Sequence, residues 1–218
     1  MKGLNTFSLK WIAIISMLID HIGAVLFPWC EWLRIIGRLA FPIFAYLLVE
    51  GFFYTKDIKK YLIRLGIFAL ISEIPFDLAF FGSVFAFGHQ NVFFELLVGM
   101  LMLYFMVKSP GKMQQAVIMI VAMLVSDWLC MDYGSWGILM ILAFYLCRDK
   151  KALKIALIVL LNIMMWQSGY LTQQFAGFAM IPIAFHNRQL GPKMKMFFYA
   201  FYPAHLLILF LISMIMYR

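Results

Sequence analysis

Apolar residues run along this chain in blocks of span length, broken by short polar connections. Runs bounded by charge, Gly or Pro fall near residues 9–29, 33–54, 59–81, 91–107, 115–131, 134–147, 152–168, 171–186 and 197–216. A helix of about 20 residues crosses a hydrocarbon core of about 30 Å, so the pattern predicts an all-α, polytopic transmembrane helical bundle of about nine spans.

Composition agrees with that pattern. With 65% hydrophobic and 13% charged residues, the chain has too little polar surface to cover a soluble globule, and the lipid bilayer must be its main solvent. Pro, Gly and Ser occur singly, without linker-like tracts or a fixed repeat, so residues 1–218 read as one domain. The first run is expected to stay attached as a span rather than act as a signal peptide. Asp20 and His21 interrupt its apolar stretch, and no small-x-small cleavage site follows. Cys30, Cys130 and Cys147 show no metal-ligand spacing, and an odd number argues against a disulfide framework.

Charge adds an orientation. Lys2 and Lys10 precede the first run, Lys56, Lys59 and Lys60 follow the second, and Lys108 and Lys112 follow the fourth. Arg148, Lys150, Lys151 and Lys154 follow the sixth, and Arg188, Lys193 and Lys195 follow the eighth. The connections at 30–32, 82–90, 131–133 and 168–171 carry no Lys or Arg. Because basic loops resist translocation, this alternation predicts a multi-pass protein of the bacterial cell membrane with a cytoplasmic N-terminus. The net charge of +8 is then mainly a topology signal. No basic stretch with interleaved aromatics suggests nucleic acid.

Candidate chemistry sits inside the apolar runs, where Asp20, His21, Arg38, Glu50, Arg64, Glu73, Asp77, Glu95, Asp127 and His205 all fall. An ionisable group in a span costs about 2.5–3.5 kcal/mol on insertion scales, so it needs a partner or a wet cavity. The acids outnumber the arginines, which points to a hydrated pocket, expected to open toward the cytosol. Helical rise places His21 about 16 Å beyond Lys10, and His205 at a similar depth in the last run. Neighbours on a helix do not face each other, so Asp20 is a poor direct orienter for His21, and a carboxylate from another span is expected. Glu73 and Asp77 share a face at i, i+4 around Pro75 and suit that role or cation binding. His89 and His186 fall in connections and are expected to be solvated. No Gly-rich phosphate loop, Gly-x-Ser-x-Gly elbow or His-Glu-x-x-His pair occurs, and no metal site is expected.

Two elements carry a family likeness. Leu9-Lys10-Trp11 through Leu18-Ile19-Asp20-His21-Ile22-Gly23 resembles the opening signature of TraX-type proteins, the membrane acetyltransferase family named for N-terminal acetylation of conjugative pilin. The likeness continues through Gly37-Arg38-Leu39-Ala40-Phe41-Pro42, Glu50-Gly51-Phe52, Ser72-Glu73-Ile74-Pro75-Phe76-Asp77, Asp132-Tyr133-Gly134 and Tyr202-Pro203-Ala204-His205, and so covers nearly the whole chain. It departs at Phe185-His186-Asn187-Arg188, where the family commonly reads Tyr-Asn-Gly. The chain is also distantly similar to type-3 membrane acyltransferases, although it has one Arg, Arg64, where those show two.

The resemblance implies acetyl transfer from cytoplasmic acetyl-CoA, as cosubstrate, to an amine or hydroxyl acceptor. His21 would act as general base or acyl carrier, with Asp20 beside it. Arg64, Lys59 and Lys60 would hold the cosubstrate phosphates. Arg38, Glu50, Glu73, Asp77 and His205 would support the acceptor or the oxyanion. The acceptor stays open between protein N-terminus, glycan, lipid and small molecule. The competing reading is a proton- or cation-coupled secondary transporter, which calls for paired interrupted helices from an internal repeat.

Overall fold

The computed structural model describes residues 3–217; Lys2, counted above among the charges before the first run, lies outside them. Thr6–Val25 form α1, started by Asn5, whose Oδ1 accepts the Ser8 amide at 2.8 Å. Glu31–Gly37 form α2 and Ala40–Tyr54 form α3. The break between them has a cause in Pro42, which lacks an N–H and whose ring crowds the carbonyl four residues back, that of Arg38. The second apolar run is therefore two helices with Arg38 at the joint.

α4 covers Ile58–Phe81, capped at its start by Asp57 and ended at Gly82, which adopts φ +64. α5 (Val92–Lys108) starts at Asn91, whose side chain accepts the Phe93 amide. There follow α6 (Lys112–Trp128), α7 (Gly134–Leu146) and α8 (Lys151–Gln167). The run at 171–186 departs from the expected span. It is a 3-10 helix over Gln173–Ala179 leading into α9, Met180–Ala184. Gly177 and Pro182, both poor in helix interiors, account for the short turns. α10 covers Lys195–Met216.

The fold is all-α. Among the described residues three stretches are long and apolar enough to cross a membrane, Thr6–Val25, Glu31–Tyr54 and Lys195–Met216. The 24-residue α4 carries Lys59, Lys60, Arg64, Glu73 and Asp77, and α5, α6 and α8 have 17 residues each. Length and composition alone thus yield fewer spans than the apolar runs predict.

Polarity is arranged as a lipid solvent requires. Ile63, Ile67, Leu70, Ile71 and Ile74 on α4 and Leu207, Ile208, Leu211 and Ile215 on α10 are exposed, while Asp20, His21, Glu50, Asp77, Glu95 and His205 are buried. α3 lies at the centre, against α1, α5 and α7, and α10 packs between α1 and α4. The Lys- and Arg-bearing connections gather at one end. There the Leu4 amide donates to the Phe185 carbonyl, the Asn187 amide donates to the Leu4 carbonyl, and Arg188 meets Asp149. The connections without Lys or Arg meet at the other end, where Gln90 donates its amide to the Cys130 carbonyl.

α1 and α2 approach so closely that Gly37 rests on the Asp20 side chain, and a Cβ there would overlap it. Gly37→Ala is expected to cost about 1–3 kcal/mol of unfolding free energy through overpacking. Denaturant unfolding in detergent checks this, and a variant of wild-type stability would show that the approach is not tight.

Candidate functional site

Where α1 ends, the α2–α3 joint, the last turns of α4 and the connections before α5 and α7 enclose a cavity of about 480 Å³. Its lining includes Asp20, His21, Arg34, Arg38, His89, Asp132, Tyr133 and Tyr202. This volume lies in the range that holds a small ligand. The lining connections belong to the end without Lys or Arg, so the cavity does not open toward the basic end as expected from the sequence. The reason is the α2–α3 break, which brings Arg34 and Arg38 over the last turns of α1 and puts the polar groups at that end.

At the cavity wall His21 and His205 meet. His21 Nδ1 and His205 Nε2 are 2.6 Å apart, and the two rings are nearly coplanar at 4°. The protons can be assigned from the network. His205 Nδ1 lies 2.8 Å from the Phe201 carbonyl, which can only accept, so Nδ1 carries the hydrogen and Nε2 is bare. His21 Nδ1 must then donate to it, which leaves His21 Nε2 as the unprotonated nitrogen. That atom has no protein partner among the described residues. Phe80 and Tyr202 stand edge-on to the His21 ring at 5.4 and 5.9 Å and fix its plane. The orienter expected to be a carboxylate is thus a second histidine, backed by a carbonyl.

Asp20 turns instead to two arginines. Its Oδ2 lies 2.7 Å from Arg34 and its Oδ1 2.5 Å from Arg38. Arg34 also donates to the Asp20 carbonyl at 3.1 Å and Arg38 Nε to the Arg34 carbonyl at 3.2 Å. The Ser16 hydroxyl donates to the Ile36 carbonyl at 2.6 Å and ties α1 to the same turn. Asp20 therefore positions two cations on the cavity wall and leaves His21 alone.

Most of the other expected site residues lie elsewhere. Glu73 accepts from the Asn91 side chain and amide, and Asp77 accepts the Ala86 amide at 2.8 Å, so this pair holds the connection between α4 and α5 and neither touches His21. Glu50 lies at the basic end, 2.9 Å from Arg148 and 3.9 Å from Arg188. Glu95 accepts from Ser126 at 2.8 Å, and Asp127 caps α7 through the Ser135 amide at 2.6 Å. Lys59 and Lys60 are exposed, with Lys60 paired to Asp57 at 3.3 Å. Arg64 faces Tyr61 and Tyr199 near the basic end, outside the cavity lining. Arg64 and the histidines do not join into one polar path across the bundle. Phe68, Tyr199, Phe93 and Tyr202 fill the interval, with ring centroids 5.0, 5.9 and 5.1 Å apart in turn.

Both loop histidines have side-chain partners, and His89 is also 38% exposed to solvent. His186 sits between Thr6 at 3.1 Å and Tyr46 at 2.8 Å. His89 lies 3.3 Å from Asp132 at the cavity mouth and stacks on Phe76. The hydrogen bond to Asp132 raises the His89 pKa above its ordinary value, against the opposing effect of burial. An unfolded histidine titrates near about 6.5. The bridge is thus fully stabilising below that pH and is lost as pH rises through the raised folded value. A proton-NMR titration is expected to give His89 a midpoint above 6.5, falling toward the free value in Asp132→Asn. A midpoint unchanged by that substitution would show that the two loops are not bridged.

Arg34, His89, Asp132, Tyr133 and Tyr202 line the cavity without having been assigned a role from the sequence. Arg34 was detectable as the i−4 neighbour of Arg38, on the same helix face. The Asp132 partner of His89 stands 43 residues away and left no local signal.

Comparison with known proteins follows the same residues. The family model described as TraX protein matches residues 6–213. A probable fimbrial assembly protein FimC, serogroup H1, of Dichelobacter nodosus is 32% identical, covering 94% of this chain and 94% of that protein. An uncharacterized protein of Rickettsia prowazekii (strain Madrid E) is 31% identical over 67% of this chain and 58% of its own length. No solved structure matches the chain.

Proposed function

The chain belongs to the TraX family of membrane proteins, and from that premise we propose that it is a multi-pass cell-membrane acetyltransferase using acetyl-CoA, with His21 as general base. The observation that carries this reading is the bare Nε2 of His21 at a cavity wall, with its other nitrogen fixed by His205.

An acceptor amine or hydroxyl enters the cavity and gives its proton to His21 Nε2 as its lone pair attacks the acetyl carbonyl carbon. The positive charge gained by His21 is shared through Nδ1–H with His205, whose own Nδ1–H is held by the Phe201 carbonyl. Arg34 and Arg38, which line the same cavity as His21, stabilise the oxyanion of the tetrahedral intermediate. The carbon–sulfur bond then breaks, and the CoA thiolate takes the proton from His21. In the acyl-carrier route the same nitrogen attacks first and the acceptor follows.

Sidedness follows from charge. With the basic end in the cytosol, acetyl-CoA approaches from that end and the acceptor from the cavity end. The thioester arm must then pass the aromatic layer of Phe68, Phe93, Tyr199 and Tyr202, which makes those side chains the moving part of the cycle. The name of the Dichelobacter nodosus relative puts the N-terminal amine of a fimbrial subunit first among the acceptors to try.

The test is to incubate purified protein with acetyl-labelled acetyl-CoA and membrane extracts, following CoA release and label transfer. Transfer that depends on the protein is expected. Ion flux in proteoliposomes without any CoA release would replace this reading with the transporter.

A further inference from the structure

Each arginine among the described residues but one has a carboxylate. Arg34 and Arg38 share Asp20, Arg148 takes Glu50, and Arg188 takes Asp149 with Glu50 beyond it. Arg64 has none. It lies six residues beyond the start of α4 at Ile58, about 9 Å inward at helical rise, and its Nε is buried without a hydrogen-bond partner. A guanidinium at that depth with an unpaired donor is costly unless something anionic meets it. The rings of Tyr61 and Tyr199, 5.4 and 5.7 Å from its Cζ, soften the charge and do not neutralise it.

Two further cations come to the same place. Lys10 Nζ sits 5.2 Å above the ring of Phe198, the residue beside Tyr199, and Lys195 opens α10 one helical turn before Phe198. Neither lysine has an acidic partner among the described residues. Three positive groups from α1, α4 and α10 thus converge on one aromatic edge at the basic end, although like charges repel. A cluster of this kind, half-buried and with the Arg64 Nε at its closed side, is the counterpart of a multiply charged anion.

We propose that Lys10, Arg64 and Lys195, with the Tyr61 and Tyr199 hydroxyls beside them, bind a phosphate group entering from the basic end. Lys59 and Lys60, which the resemblance put forward for this task, face solvent on the first turn of α4, and Lys60 is paired with Asp57. The ligand chemistry is a phosphate monoester or diphosphate, as carried by CoA or by an anionic lipid headgroup. The CoA assignment rests on the acetyl-transfer reading above, whereas the site itself does not. From this site α10 leads directly to Tyr202 and His205, so a ligand anchored here by its phosphates points its other end at the aromatic layer below the cavity.

The test is equilibrium binding to the purified full chain in an uncharged detergent, by calorimetry, with three probes: CoA, pantetheine and short-chain phosphatidylglycerol. CoA is expected to bind and pantetheine, lacking the phosphates, to bind at least about tenfold more weakly. Arg64→Gln is expected to weaken CoA by about tenfold or more. Lys195→Gln, at an exposed position that does not threaten folding, should weaken it less, and added salt should lower the wild-type affinity. Arg64-dependent binding of phosphatidylglycerol with none of CoA would keep the phosphate site and remove acetyl-CoA as its ligand. Binding of both phosphate probes unchanged in both variants, or absent throughout, would overturn the site. Acetyl transfer that survives such a result would leave the function standing without it.

Discussion

His21→Ala is expected to lower kcat/KM for acetyl transfer by about 10²–10⁴-fold while CoA affinity and the unfolding midpoint stay near wild type. The size follows from what is removed, a positioned base with a free nitrogen at the cavity wall. The pattern across variants says more than the size. His205→Ala leaves His21 Nδ1–H without its acceptor, so the tautomer with a bare Nε2 loses its preference and the ring loses its anchor. Its rate is expected to fall almost as far. The double variant should be scarcely slower than His21→Ala alone, because residues that act as one unit do not contribute additively. Independent losses that multiply in the double variant would mean that the two imidazoles act separately.

Asp20→Asn is expected to act on stability first, lowering the unfolding free energy by about 3–5 kcal/mol. Asp20 is the acid for both Arg34 and Arg38, and its side chain is 11% exposed. Removing its charge leaves two adjacent guanidiniums facing each other across a cavity wall. Such a loss is characteristic of breaking a buried pair, whereas a surface pair is worth about 0–1 kcal/mol. Denaturant unfolding in detergent measures it. A loss below about 1 kcal/mol would mean that water already screens the arginines and that the cluster is not a fixed wall.

Much of this was legible in the sequence because lipid imposes simple rules. Apolar runs marked α1, α4, α5 and α10 to within a few residues, and Lys and Arg marked one end of the bundle. The cost of burying charge singled out His21 and His205 as groups needing partners. What stayed hidden depended on contacts between distant residues. That His21 would meet His205, 184 positions away, follows from the packing of α1 on α10 and has no periodic trace. The reach of Arg38 to Asp20 depends on the break that Pro42 causes, and the role of that proline was readable in principle. Glu73 and Asp77 misled because a shared helix face says nothing about which neighbour that face meets. Arg64 was found from its depth, yet its companions Lys10 and Lys195 looked like ordinary end-of-span lysines.

The proposed function turns on one claim: acetyl-CoA delivers its acyl group from the basic end to a nucleophile held beside His21. The most direct measurement is a single turnover in proteoliposomes of known orientation. Acetyl-labelled acetyl-CoA is applied at the basic face and an amine acceptor peptide at the cavity face. Label is expected on the peptide with wild-type protein, and neither with His21→Ala nor with acetyl-CoA applied at the cavity face. Equal labelling by His21→Ala, or no labelling by a wild-type protein that binds CoA, would contradict it.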